Sequence, residues 1–312
     1  MSGAAASTFG ATSTTDEVLE GVDLTGRRVL VTGASAGLGV ETARSLAAHG
    51  AEVLGVVRDP DKARAALQEA GAGDVRLYQA DLASLDSVRA AADAIVADGC
   101  DRLDLLIGNA GIMACPRGTT ADGFELQFGT NHLGHFVLVN RLAPLLLAGA
   151  PSRVVMVSSA GHRFGDVSLD DPDFETTPYD EWTAYGRAKT ANVLFAVEAA
   201  RRWAGDGITV NALMPGAIRT NLQRHVTDEE LERMRAQMGG DGPAWKTAEQ
   251  GAATSVLAAA SPLLEGVTGR YFEDCQEAEP HRPGTRRGVA AYALDPEAAT
   301  LLWQVSMDLL DL

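Results

Sequence analysis

From residue 27 onward, short apolar runs alternate with amphipathic stretches. RRVLVTG (27–33), AEVLGVV (51–57), VRLYQ (75–79), LDLLIGNAG (103–111), RVVMVSS (153–159) and ITVNALMPG (208–216) are rich in Val, Leu and Ile, and each predicts a strand. The stretches between them carry apolar residues at helical spacing, as do Leu38, Ala43, Leu46 and Ala47 within 38–49. Further helices are predicted over 59–71, 84–97, 121–148 and 181–204. Pro60 in the first turn and Gly71 past the end frame the first of these. Beyond residue 216 the pattern predicts helices near 227–238 and 244–260, a strand at GRYF (269–272) and a helix near 296–311. The strand runs are continuously apolar rather than alternating, as in a parallel sheet covered on both faces. The alternation therefore predicts an α/β fold, a single doubly wound parallel sheet with helices on both faces. No composition break divides the chain. Residues 1–23 read as a polar N-terminal tail and 24–312 as one domain.

Composition narrows the functional classes. The 312 residues are 46% hydrophobic and 22% charged, enough for a sizeable core. A net charge of −16 argues against nucleic acid and anionic membranes as partners, because both demand clustered cations. A small anionic cofactor needs only a few local donors. Cys100, Cys115 and Cys275 show no CxxC spacing, which predicts neither zinc site nor disulfide framework and fits a reducing cytoplasm. The first fifteen residues lack the basic region of a secretory signal, and Arg141 interrupts the longest apolar run, FVLVNRLAPLLLAGA. A cytoplasmic protein with no membrane insertion is the expectation.

TGASAGLG (32–39) joins the first predicted strand to the first predicted helix. Glycine permits positive φ and close backbone approach, and the helix that follows points free N–H groups at whatever lies there, which favours a pyrophosphate. A tight turn that needs glycine for geometry alone is the structural alternative. The second strand ends Val57-Arg58-Asp59. An acid at this place binds a ribose 2′-hydroxyl and selects NAD, whereas an arginine receives a 2′-phosphate. Arg58 favours NADP(H). Asp59 leaves NAD(H) open, because it is placed either to bind the ribose or to pair with Arg58.

Within AYGRAK (184–189), Tyr185 and Lys189 stand four apart on one helical face. An ammonium near a phenol favours the phenolate, which otherwise forms only near pH 10. Accident is one explanation of the pairing, since surface helices are rich in lysine; the other is that the lysine acts on the tyrosine.

Taken together, TGASAGLG (32–39), DLAS (81–84), NAGI (109–112), Asn131 in TNHLGHF, VSS (157–159), YGRAK (185–189) and PGAIRT (215–220) resemble the short-chain dehydrogenases/reductases over about residues 24–275. SSAGHRF (158–164), the long gap before the tyrosine and KTANVLFAVE (189–198) are most similar to the retinol-dehydrogenase-like and protochlorophyllide-reductase-like branch. The resemblance implies a Rossmann-type fold. It implies that Tyr185 trades the proton, Lys189 assists it and holds the nicotinamide ribose, and Ser159 positions the substrate oxygen, with Ser158 as runner-up. Asn131 would complete a proton relay through a water. The cofactor would lie along Gly33, Ser35, Ala36, Gly37, Leu38 and Gly39, then Arg58. Asp81 and Leu82 would border the adenine, with Asn109, Ala110 and Gly111 beside its ribose. Pro215, Gly216, Ile218 and Thr220 would meet the nicotinamide, with Thr220 near its carboxamide or the diphosphate.

Two departures stand out. Ala188 replaces a serine common in the family, and Ser159 and Tyr185 stand 26 positions apart, about twice the common spacing. The insert 161–182 reads as a loop over the site's mouth. Residues 220–260 read as a substrate lid, in which Met234 and Met238 share a helical face as core or as substrate wall. His132 and His135, three apart, have no acid or cysteine to complete a metal site. His162 and Arg163 read as solvated loop residues, with substrate contact as the alternative, and Trp182 and Trp245 as pocket lining or as packing. The expected activity is interconversion of a bulky apolar ketone or aldehyde with its alcohol, using NADP(H). An NAD-dependent alcohol dehydrogenase and a catalytically silent nucleotide-binding regulator are the alternatives. Family resemblance further implies a homodimer or homotetramer paired through 121–148 and 181–204.

Overall fold

A computed structural model describes residues 7–237, 245–285 and 287–312. Eight strands form one sheet: β1 Arg28–Thr32, β2 Glu52–Val57, β3 Arg76–Gln79, β4 Leu105–Gly108, β5 Ser152–Val157, β6 Ile208–Met214, β7 Tyr271–Glu273 and β8 Gln276–Glu277. Their order is β3-β2-β1-β4-β5-β6-β7-β8. Strands β1 to β7 run parallel, and β8 turns back antiparallel along β7. The sheet is thus mostly parallel, with one antiparallel edge strand that the sequence pattern did not predict.

Helices cover both faces. The described helices are α1 Thr15–Leu19, α2 Gly37–Ala48, α3 Pro60–Glu69, α4 Leu85–Ala97, α5 Leu126–Phe128, α6 Gly134–Ala148, α7 Glu181–Arg202, α8 Asp228–Gln237, α9 Ala248–Ala260 and α10 Pro296–Leu309. One core joins α4, α6, α7 and α10 to the sheet through residues such as Val88, Phe136, Phe195 and Trp303. The other joins α1, α2, α3 and α9 through Leu19, Leu46, Leu67 and Val256. Each buried Leu or Phe side chain contributes about 1.5–3 kcal/mol of hydrophobic stabilisation.

Several predicted boundaries move. The helix expected over 121–148 starts at Leu126, because Glu125 caps it, accepting from the N–H groups of Gln127 (2.8 Å) and Phe128 (2.6 Å). A π-turn, Gly129–Leu133, then separates α5 from α6. Within residues 1–23, read as a tail, α1 has a capping box between Thr14 and Glu17 and buries Val18 and Leu19 against the α2/α9 face. Helix α9, expected as lid, is a core helix whose Val256 and Leu257 are fully buried.

The chain runs outward through β1, β2 and β3, then returns to place β4 beside β1. Ligands of doubly wound sheets bind at such a reversal, beyond the carboxyl ends of the strands.

Candidate active site

A cavity of about 1150 Å³ opens at that place. All the predicted cofactor and catalytic residues except Gly37 and Asn131 line it. The glycine turn forms its floor. Gly33 takes φ +75°, and a Cβ on Gly39 would collide with the Gly33 carbonyl, so the turn folds tightly and α2 starts hard against β1. The N-cap of α2, Ala36, makes no side-chain capping bond. The first-turn N–H groups are therefore left without a side-chain acceptor, as an anion-binding helix terminus requires. Gly37 stands behind the lining, where a Cβ would come within 3.0 Å of Thr220 Cγ2. That proximity puts Thr220 across the start of α2.

The second strand's exit distinguishes the two charged residues. Arg58 lines the cavity and is exposed. Asp59 is the N-cap of α3, and its carboxylate accepts from the Lys62 N–H at 3.0 Å. Lys62, a residue the sequence reading missed, lines the cavity beside Arg58. Its signal was its place in the first turn after β2. Deeper in, Asn109 Nδ2 donates to the Thr32 carbonyl (2.9 Å) and the Ala110 N–H donates to Thr32 Oγ1 (2.9 Å), which tie the β4 exit to β1.

The catalytic candidates converge from two elements. Ser159 follows β5 in an extended conformation, with Oγ accepting from the Gly161 N–H at 3.0 Å. Tyr185 and Lys189 lie one turn apart on α7, and each is only 3% exposed. A Cβ on Gly161 would stand 2.7 Å from Tyr185 Cε1 and 3.3 Å from Ser159 Oγ, so serine and tyrosine flank one glycine. Lys189 Nζ donates to the Val157 carbonyl at 2.9 Å. Burial pushes the Tyr185 phenol up to about 12, against a downward pull from the Ser159 hydroxyl. Burial also takes Lys189 down to about 8. The expected lowering of the tyrosine by the lysine is thus not seen in the protein alone. Desolvation disfavours both charged forms, and Nζ sits 5.9 Å from the ring centroid, spending a donor on a backbone carbonyl.

Asn131 does not reach the cavity. Its amide holds both backbone groups of Ile112, accepting from N–H at 2.8 Å and donating to the carbonyl at 2.9 Å. Its own carbonyl meets His135 Nδ1 at 2.9 Å. His135 Nε2 reaches Thr32 Oγ1 (2.9 Å) and His132 Nε2 reaches Ser306 Oγ (2.8 Å), so the two imidazoles serve different neighbours. His162 is not a solvated loop residue, being fully buried behind Ser159.

Past Tyr185 the wall is apolar. Met113 packs with Tyr185, and Trp182, Leu222 and Leu231 close around them. Trp182 meets the Tyr185 ring edge-on at 6.3 Å and donates from Nε1 to Glu230 of α8 at 2.7 Å. Trp245 lines the cavity beneath the Arg219 guanidinium, 4.8 Å from the ring centroid. Met238 lies outside the described residues, as does the side chain of Met234. The insert reaches the mouth with its ends, Gly161, Arg163, Phe164 and Trp182. Its middle folds on itself, with Asp171 accepting from the Glu175 and Thr177 N–H groups (2.7 and 2.9 Å) and Phe174 buried beneath Arg187.

The short chain dehydrogenase model matches residues 27–231. The chain belongs to the short-chain dehydrogenase family. A Streptomyces lividans protein carrying the name "Probable oxidoreductase" is 52% identical over 93% of this chain and 99% of its own. Human retinol dehydrogenase 14 is 42% identical over 90% of this chain and 85% of its own, in keeping with the retinol-dehydrogenase-like branch. A crystal structure from Mycobacterium paratuberculosis, 36% identical, covers 96% of this chain and 98% of that one with a TM-score of 0.74. The chain is accordingly an NAD(P)-dependent dehydrogenase/reductase.

The family motifs gave no hint of the cavity's far rim. Asp274, Glu279, Arg282 and Arg287 line it, brought in by the turn between β7 and β8 and the segment after it. Asp274 pairs with buried Lys246 (2.7 Å) and with Arg287 (2.9 Å). No short-range pattern marks these residues, which the fold alone brings to the site. Among the described residues no helix is long and apolar enough to cross a membrane.

Proposed function

We propose that this short-chain dehydrogenase uses NADP(H) to interconvert a bulky apolar ketone or aldehyde and its alcohol. The observation that carries the reading is the convergence of Ser159, Tyr185 and Lys189 on one wall of a cavity whose other end is a glycine turn and an uncapped helix start.

The donor set fits the cofactor. The α2 N–H groups and Thr220 would hold the diphosphate, Arg58 and Lys62 the 2′-phosphate, and Lys189 the nicotinamide ribose. With Asp59 committed to capping α3, no carboxylate from this strand end competes for the ribose hydroxyl. When bound, the nicotinamide supplies or accepts the hydride.

The chain's own residues handle the proton. In reduction, Ser159 Oγ donates to the carbonyl oxygen and orients it toward Tyr185. The Tyr185 hydroxyl then gives its proton to that oxygen. Burial keeps the phenol protonated through neutral pH, which suits a general acid. Lys189 bears positive charge next to the phenolate that results and stabilises it. Alcohol oxidation runs the same transfers backward. Water is kept from the reacting carbon by Met113, Trp182, Leu222 and Leu231. This apolar wall, with the 42% identity to a protein named for retinol, supports a substrate of aromatic or terpenoid character.

A fluorescence titration with NADPH and NADH side by side, followed by a carbonyl screen with the tighter cofactor, tests the reading. Tight NADPH binding and turnover of apolar carbonyls support it. Binding of neither cofactor contradicts it.

A further inference from the structure

His162 lies three residues beyond Ser159, is fully buried and does not line the cavity. Its bonding pattern fixes its tautomer. The Ala290 N–H donates to Nε2 at 3.0 Å, and a backbone N–H can only donate, so Nε2 carries the lone pair. In the neutral ring Nδ1 then carries the hydrogen, and it faces the Ser159 carbonyl at 2.7 Å. The same carbonyl receives the His162 N–H (3.1 Å) and the Tyr271 hydroxyl (3.3 Å). Three donors therefore hold the Ser159 carbonyl, and they come from His162 and Tyr271, neither of which lines the cavity.

The grip extends to the helix that bears the other two catalytic candidates. The His162 carbonyl accepts from Thr190 Oγ1 at 2.9 Å and from Tyr292 Oη at 2.8 Å, and Thr190 directly follows Lys189 on α7. One buried residue thus links the β5 exit, the catalytic helix and the segment around Ala290 and Tyr292. That segment lies beyond residue 231, where the family match ends.

We propose that His162 is a positioning residue that sets the direction of the Ser159 hydroxyl toward the substrate oxygen, and that residues 289–292 belong to the catalytic apparatus through it. The proposal rests on the reading of Ser159 given above. A serine χ1 rotor directs its hydroxyl only as well as its backbone is held, so loosening the peptide plane misplaces the donor, where errors of about 1 Å cost about 10²-fold in rate.

The discriminating variants are His162→Asn and His162→Leu. Asparagine's Nδ2 can replace the Nδ1–H donor but offers Ala290 nothing. Leucine fills the space and donates nothing. With wild-type protein and a carbonyl it reduces, kcat is expected to fall about 10- to 100-fold in His162→Leu, with KM and NADPH affinity within about threefold. In His162→Asn, kcat is expected to stay within about threefold of wild type. Tyr271→Phe removes a second donor to the same carbonyl and should lower kcat several-fold, which keeps the test open if the leucine variant does not fold. In ¹⁵N-histidine-labelled protein at pH 7, the resonance lost in His162→Asn should be that of an Nδ1–H, Nε2-bare ring. An Nε2–H tautomer overturns the proposal. So does wild-type kcat in folded His162→Leu, equal losses in the asparagine and leucine variants, or a fall in cofactor affinity that parallels kcat. A wild-type protein that binds NADPH but reduces no carbonyl sinks the parent reading instead. The tautomer can still be measured in that event.

Discussion

Lys189 Nζ donates to the carbonyl of Val157 at 2.9 Å and lies 5.9 Å from the centroid of the Tyr185 ring. The ammonium thus rests against the end of β5, the strand that leads to Ser159, one helical turn from the phenol. Because burial sets its pKa at about 8, Lys189 is positive below that pH and neutral above it. If its charge supports proton transfer, kcat/KM for carbonyl reduction should decline as pH rises through the Lys189 pKa. Lys189→Arg should flatten that limb, since arginine stays charged. A limb unchanged in Lys189→Arg would assign the decline to another group.

Cofactor choice should lie with Arg58 and Lys62. Arg58→Ala is expected to weaken NADPH binding by about 1.5–3 kcal/mol, about 10- to 150-fold, the range of a charge-assisted hydrogen bond. NADH binding should barely change. Lys62→Ala should act in the same direction. Asp59→Ala should cost about 0.5–2 kcal/mol of stability through loss of the α3 cap, read as a lower melting temperature, without raising NADPH affinity over NADH. Equal losses of NADPH and NADH in Arg58→Ala would take the 2′-phosphate away from this strand end.

Acid should destabilise the fold before it titrates the surface carboxylates. Burial holds His132 at about 3 and His135 and His162 at about 4, all below the ordinary 6.5. Between those values and 6.5 the unfolded chain binds more protons than the folded one, so stability is full above pH 6.5 and falls as pH drops toward 4. Each group contributes up to about 1.4 kcal/mol per pH unit in that window. Urea denaturation at pH 7 and pH 5 reads the difference. A flat profile would mean that these rings are not held neutral.

Helix α10 changes the expectation of pairing. Trp303 stacks on Phe195 of α7 (5.5 Å, 10° between rings) and meets Phe136 of α6 at 4.8 Å. Trp303 thus covers part of the faces expected to join two chains. Light scattering should give a mass near the 32.7 kDa of a single chain. Trp303→Ala should cost about 3–5 kcal/mol of stability. A dimer mass for the wild-type protein would mean that α10 leaves a pairing face open.

These relationships show what could be seen in the sequence. Strands β1 to β6 were legible because each is a buried apolar run bounded by turn residues. The glycine turn, Ser159, Tyr185 and Lys189, which the structure gathers along one cavity, were legible because they stand in short motifs. What escaped depended on long-range contact. Only the fold reveals that Asp59 caps α3 through the Lys62 N–H, that Asn131 braces Ile112, and that His162 is buried by Tyr271 and Ala290 from more than a hundred residues away. The start at Leu126 was misjudged because Glu125, read as an interior helical residue, is a cap.

The central claim is that Tyr185 passes a proton to or from the substrate oxygen while the cofactor is held independently of it. Tyr185→Phe removes one oxygen from a fully buried ring and leaves the glycine turn, Arg58 and Lys62 untouched. Measured together on that variant, NADPH affinity should stay within a few-fold of wild type and carbonyl turnover should fall about 10²–10⁴-fold, the range for loss of a general acid. Turnover at the wild-type rate with NADPH bound would contradict the account.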